Sequence, residues 1–308
     1  MSMNKKKVLN KERALNKARK ESKVCYGIMV FLALICLLPL IMVLSASLTN
    51  ETYIQQNGYS LFPMKPSLDT YRFLIGNKGR MLVKAFMMTL AATIIGTLYS
   101  VSVTTCFAYA VTQDKSEFRF SRALSFIAWF STIFSGGVLP WYILCTQYYG
   151  LRNNIFALFV PYGLGVMHMY ILRGNFREVP AELIEAAKLD GASHSQIFFR
   201  VAIPLARAGI TSVILFKVLG YWNDFFLPKW LITDNDYTTM QKILYDMLTS
   251  TMELLKDSSL ASVVQNETIP AETAKMAVAV LVIVPVLILY PFGLRYFVKG
   301  INLGGVKG

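Results

Sequence analysis

Charged side chains are scarce in this chain, 16% of its 308 residues, while 55% are hydrophobic. A soluble domain carries about a quarter charged residues, so the composition excludes an ordinary water-soluble fold and points to the membrane class. Histidine is rarer still: His168 and His194 lie far apart in sequence, and no His/Cys cluster for a metal is present. The four cysteines, Cys25, Cys36, Cys106 and Cys145, sit in or at the ends of apolar runs without ligand spacing. They read as small buried hydrophobes, with neither a disulfide framework nor a metal site. No Gly-x-x-x-x-Gly-Lys-Ser/Thr loop occurs, so the chain does not itself hold ATP in the usual way. No nucleophile with a base and an orienting group is evident either, and the sequence reads as non-enzymatic.

Acid is scarcer than base, 18 Asp and Glu against 31 Lys and Arg, a net charge of +13. Nine of the basic residues fall in the first 23 positions, directly before an apolar run, and the rest are scattered. That pattern fits an anionic inner leaflet rather than nucleic acid. Apolar runs at about 24–48, 81–111, 123–147, 155–172, 208–232 and 274–296 are each read as a span, since a hydrocarbon core takes about 20 helical residues. The first is too long for the core of a cleaved signal, about 7–15 residues, although Ser45-Ala46-Ser47 has the form of a cleavage site. Residues 1–23 read as a charged tail, with a surface helix as the alternative. Asn50 to Arg80, with Gly58, Pro63 and Pro66, makes an outside loop. Thr233 to Thr273 makes a second, with seven acidic residues against two basic. Within it Met240 to Leu255 has the spacing of a short surface helix, and Asp234-Asn235-Asp236 lacks the rest of a calcium loop and is taken as a turn. Lys and Arg are more than twice as numerous in the segments assigned inside. The positive-inside rule therefore puts both termini, the tail 297–308 and the segment 173–207 in the cytoplasm. The fold expected is an all-α membrane protein whose body, 24–296, has six transmembrane helices.

Three features stand out within the spans. In the second, Ala92, Gly96, Ser100, Thr104 and Ala108 recur every four residues and form a ridge suited to close helix packing. The third and fourth are interrupted by Ser135-Gly136-Gly137 with Pro140, and by Pro161, Gly163 and Gly165, so bends or unwound turns are expected there. In the fifth, Lys217, Tyr221, Asp224 and Pro228 fall on one face of a continuous helix. An ionisable residue at that depth costs several kcal/mol unless it faces protein or water. A cavity-lining stripe is the reading preferred here; a structural Lys217–Asp224 pair and a lysine snorkelling to the inner surface are the alternatives.

Arg173 to Arg207 is polar between apolar runs and is built like a helix, a tight turn and a second helix. Pro180 suits a first helical position, and Glu182 and Glu185 place negative charge near the positive helix end. Gly191 can take a positive φ to end the first helix, and Ser193 with Gln196 has the form of a capping box opening the second. The small Ala186, Ala187 and Ala192 would let another surface approach the backbone. On these grounds alone, a docking element and a solvated loop stand equal.

The pattern Glu185-Ala186-Ala187, three residues, Gly191, nine residues, then Val201-Ala202-Ile203-Pro204 resembles the EAA loop of ABC importer permeases, with Val201 and Ile203 as conservative departures. Trp222-Asn223-Asp224-Phe225 resembles the WN(D/E) signature of carbohydrate permeases. SLFPMKPSLDTYRFL resembles the segment after the first span in sugar permeases, and the ending RYFVKGINLGGVKG resembles the tails of oligosaccharide-importing permeases.

The resemblance implies the permease subunit of a binding-protein-dependent importer in a bacterial plasma membrane, forming half a pathway for a sugar, an oligosaccharide before a monosaccharide. It implies a homologous second permease, two cytoplasmic ATPases that bind ATP and Mg, and an extracytoplasmic sugar-binding protein, with no cofactor in this chain. It places ATPase coupling at Glu185, Ala186, Ala187, Asp190, Gly191, Ala192 and Pro204. Candidate pathway residues are Lys217, Tyr221, Trp222, Asn223, Asp224 and Phe225, with Trp141, Tyr142 and Tyr162, since aromatic faces stack on sugar rings and amides bond hydroxyls. The EAA loop is shared across importers, so an amino-acid, peptide or other solute permease is the alternative, and a non-transporting scaffold that kept the loop a third reading.

Overall fold

The computed structural model describes residues 2–114, 116–256 and 271–304, which form helices joined by turns. Helix α1 (Ser2–Ser47) runs without interruption from the basic segment into the first span. The expectation of a charged tail is therefore corrected: Lys, Arg, Ala and Leu are strong helix formers, and neither Gly nor Pro occurs before Gly27. Side chains at 25–39 are exposed, the pattern of an apolar helix whose partner is lipid or another chain.

Two compact units are distinguished, Met1–Leu74 with Asn266–Val280, and Ile75–Gln265 with Leu281–Gly308. In the first, α2 (Glu51–Asn57) is capped by Asn50 and ended by Gly58. Helix α3 (Asp69–Thr112) begins twelve residues before the expected second span, so the outside loop shrinks to 58–68. Ser67 Oγ accepts from Asp69 N at 3.0 Å and starts that helix, while Thr70 and Leu74 are buried. The stretch was polar enough to read as loop, but its helical period carries a buried face. The last helix, here α13 (Ala271–Gly304), receives Glu51 at its positive end. The Glu51 carboxylate accepts from Glu272 N at 3.1 Å, Thr273 N at 2.8 Å and Thr273 Oγ1 at 2.6 Å. Tyr59 donates to Glu272 at 2.8 Å, and partial burial together with that acid pushes its phenol up to about 12.

In the second unit the expected spans appear as broken pairs. Helices α4 (Ser121–Ile133) and α5 (Val138–Ile143, continued by a wide turn to Tyr148) meet at 120° across the Ser135-Gly136-Gly137 break. Tight turns at Ile155–Leu158 and Val160–Tyr162 meet α6 (Val166–Arg177) at 52°. Helix α7 (Ala181–Leu189), the short α8 (His194–Ile197), a wide turn and α9 (Ile203–Leu205) lead to α10 (Arg207–Trp222), entered with a 79° bend. Then come α11 (Phe226–Leu231) and α12 (Met240–Lys256). By length and apolar composition, the described residues hold three helices able to cross a membrane, or six spans when each bent pair counts as one.

Three further expectations change. The fifth span is not one helix to 232, because α10 stops at Trp222. Cys25, Cys36 and Cys106 are exposed on outward-facing helix surfaces, and only Cys145 is buried. Helix α12 is packed rather than superficial at its start, where Met240, Gln241 and Ile243 are buried. Asn235–Tyr237 forms the expected turn, closed by Asp236 N donating to Asp234 Oδ1 at 3.0 Å. The part of the second outside segment at 257–270 and the tail end at 305–308 lie outside the described residues.

Candidate functional site

Two places collect the residues singled out in the sequence, and the first is the break in the fourth span. The ridge of small residues on α3 lies directly against it. A Cβ on Gly96 would fall 2.9 Å from Phe159 Cβ and 2.9 Å from the Tyr221 ring, so only glycine fits that approach. One turn on, Ser100 Oγ donates to Gly163 O at 2.8 Å and to Tyr162 O at 3.1 Å. Thr104 Oγ1 donates to Gly163 O at 3.4 Å and accepts from Gly165 N at 3.3 Å. From α10, Lys217 Nζ donates to Tyr162 O at 3.3 Å and Tyr221 OH to Phe159 O at 3.1 Å. Non-helical backbone at this depth is tolerated only when its polar groups find partners. Four side chains supply them, where each buried carbonyl left bare would cost about 1–3 kcal/mol.

The break opens a cavity of about 310 Å³ whose wall includes Tyr162, Gly165, His168, Phe216, Lys217 and Tyr221. Gly165 is as confined as Gly96: a Cβ there would stand 2.7 Å from His168 Nδ1 and 2.8 Å from Lys217 Nζ. Lys217 is buried, 8% exposed, and among the described residues it has no carboxylate within ion-pair distance.

The stripe expected on the fifth span is only half present. Lys217 and Tyr221 share the face that meets the break, but Asp224 lies beyond the helix, in the turn before α11. Its carboxylate accepts from Phe226 N at 3.1 Å and Leu227 N at 3.3 Å, capping α11, and the Tyr162 hydroxyl approaches it. The structural Lys217–Asp224 pair is not formed. An Asp two residues ahead of Phe226 was a capping signal available in the sequence.

The remaining pathway candidates scatter. Trp222 is buried, donates from Nε1 to Val282 O at 3.1 Å and meets Phe86 edge-on. Asn223 bonds back to Leu219 O at 3.0 Å, and Phe225 stacks on Tyr245 at 5.2 Å. Trp141 and Tyr142 pack against Phe226 and Trp230, at 5.3 and 6.2 Å between ring centres. Only Lys217, Tyr221 and Tyr162 come together at the cavity. Ser100 and Thr104 were seen in the sequence as packing residues only; their hydrogen bonds to a broken span have no local signal.

The second place is the polar loop. Pro180, expected as the first helical residue, stands instead at the N-cap of α7, one position before the helix begins at Ala181. Gly191 has φ +76° and ends the helix, with Ala192 N closing onto Ala187 O at 3.0 Å. Ser193 and Gln196 form both halves of a capping box on α8. The two halves of the loop differ in burial. Helix α7 has no buried residue and leaves Leu183 and Leu189 exposed, Leu189 to 90%. By contrast Phe198, Ala202 and Ala206 are buried against α3 and α6, with Tyr109 4.8 Å from Phe198 and 5.6 Å from Phe176. Pro204 sits in α9, between the buried Ala202 and Ala206. An ion pair joins Lys188 on α7 to Glu117 in the turn after α3, and that hydrogen bond holds the lysine above its usual range. The loop is therefore an exposed helix on an anchored base.

Residues 14–303 match the family described as the binding-protein-dependent transport system inner membrane component. The polygalacturonan/rhamnogalacturonan transport system permease protein YtcP of Bacillus subtilis (strain 168) is 31% identical over 283 residues, 92% of this chain and 96% of that protein. The arabinooligosaccharides transport system permease protein AraQ of Halalkalibacterium halodurans is 26% identical over 90% of this chain and 94% of its own length. Among solved structures, a bacterial ABC transporter involved in the import of the acidic polysaccharide alginate has a chain that superposes with a TM-score of 0.76 at 25% identity. The match covers 91% of this chain and 97% of that one.

Proposed function

The chain belongs to the family of binding-protein-dependent transport system inner membrane components, and from that premise we propose that it is the permease subunit of an ABC importer for an oligosaccharide. The observation that carries this reading is the near end-to-end match to permeases whose names specify sugar polymers and oligosaccharides, which favours sugar over amino acids or peptides. The solved relative handles an acidic polysaccharide, so acidic sugars belong among the candidate cargoes.

In this reading six spans form half a pathway across the bacterial plasma membrane, with both termini cytoplasmic and a second, homologous permease supplying the other half. An extracytoplasmic binding protein delivers the sugar, and two cytoplasmic ATPases bind ATP and Mg and supply the energy. Helix α7 with its Gly191 turn is the part that seats on an ATPase: Glu185, Ala186 and Asp190 are exposed, and Ala187 and Ala192 half-exposed. The anchored half, through Pro204 into α10, carries displacement of α7 toward Lys217 and the broken span. An exposed helix held by a packed base suits that task, because packed elements move as units and do not deform continuously.

The test is ATP-driven uptake of labelled oligosaccharides into vesicles holding the reconstituted complex. Uptake that requires this chain, the binding protein and ATP is expected; uptake of peptides or amino acids in place of sugars would refute the cargo assignment.

A further inference from the structure

We infer that Lys217 is the cation that reads a carboxylate on the transported sugar, making the cavity beside the broken fourth span a subsite for uronate residues. The inference rests on the permease reading above and deepens it. Three observations carry it. Lys217 is only 8% exposed, yet among the described residues its Nζ donates to a backbone carbonyl, Tyr162 O, and has no carboxylate within ion-pair distance. A lysine has three donors and a full charge, and burial without a counter-charge is costly unless an anion or water completes the site. Second, the ammonium is part of the wall of the 310 Å³ cavity, a volume at the small end of ligand sites, enough for one sugar ring. Third, Tyr162 and Tyr221 line the same wall, aromatic faces suited to a pyranose ring, and His168 offers a further polar edge.

Gly165 makes the arrangement possible. The space a side chain would fill is occupied by Lys217 Nζ and His168 Nδ1, so both polar groups reach the broken backbone at one point. A neutral sugar would leave the ammonium uncompensated there, whereas a hexuronate places its carboxylate on it. The remaining source of a carboxylate is the second permease subunit, which would make Lys217 a structural ion-pair residue indifferent to cargo.

The experiment uses the full complex in vesicles, with trigalacturonate and its fully methyl-esterified, neutral counterpart as probes. Lys217→Gln keeps a donor for Tyr162 O without the charge; Lys217→Arg keeps the charge. The expected result is that Lys217→Gln lowers trigalacturonate uptake about tenfold, the loss of one charge-assisted contact, and neutral-sugar uptake less than twofold, while Lys217→Arg stays near wild type. Equal loss of both sugars, or no loss of either, would overturn the inference and assign Lys217 to structure. Should the wild-type complex take up only the acidic probe, the Arg-against-Gln contrast decides, and equal impairment of the two variants overturns it. Uptake of the neutral probe alone by wild type would also overturn it while leaving oligosaccharide import standing; uptake of no sugar of any kind would refute the permease reading itself.

Discussion

Gly191 separates two roles that a coupling loop must combine, a turn with the right shape and a surface that touches its partner. Its φ is +76°, and among the described residues nothing lies within 4 Å of where a Cβ would stand. A side chain therefore meets no clash with them, and the cost of alanine is backbone strain alone, on the order of 1–2 kcal/mol. Asparagine tolerates the left-handed region far better and should keep the turn at a fraction of that cost. If α7 and its turn seat on an ATPase, the open space around Gly191 is filled in the assembled transporter. Gly191→Asn should then impair coupling although it spares the turn. Both variants are expected in the membrane at wild-type levels. In the purified complex, substrate-stimulated ATP hydrolysis should fall about tenfold for Gly191→Ala, since about 1.4 kcal/mol is a factor of ten, and by a comparable factor for Gly191→Asn. Wild-type stimulation in both would refute the coupling role. Loss in the alanine variant alone would confine Gly191 to shaping the turn.

Two further expectations concern neighbouring contacts. Gly165→Ala pushes a methyl group into Lys217 Nζ and His168 Nδ1, an overpacking that costs about 1–3 kcal/mol; thermal unfolding of the purified complex should drop by several degrees, and an unchanged midpoint would contradict the packing described. Reversing either partner of the Lys188–Glu117 pair should weaken transport by no more than about fivefold, the range of an exposed ion pair worth about 0.2–1 kcal/mol, and the double reversal should restore it. Because Glu117 raises the lysine above its ordinary 10.5, the pair's contribution is complete below that pH and is lost only as pH climbs through the raised value. A pair equally effective in strong alkali would contradict that assignment.

What the sequence disclosed and what it hid follow from how local each feature is. The Gly191 turn and the Ser193–Gln196 box depend on residues within four positions of one another, and both are present in the structure. The ridge from Ala92 to Ala108 was legible because a helix repeats its face every turn, although its partner was not: Ser100 and Thr104 meet carbonyls some sixty residues away. The early start of α3 was hidden by the polar surface of its first turns. The end of α10 at Trp222 was hidden because the apolar run continues past it, and there the Asp224 cap outweighs composition. The burial of Phe198 and Ala202, in the wide turn between α8 and α9, against Tyr109 and Phe176, which makes the loop an exposed helix on a fixed base, is tertiary and leaves no local trace.

The central claim is that α7 meets the ATPase, and Leu189 tests it most directly, being 90% exposed at the end of that helix. A photo-crosslinking residue placed there, with the 65% exposed Leu98 on α3 as the comparison, should join this chain to the ATPase subunit from position 189 and not from 98. An assembled, transport-active complex that gives no ATPase crosslink from position 189 would contradict the account.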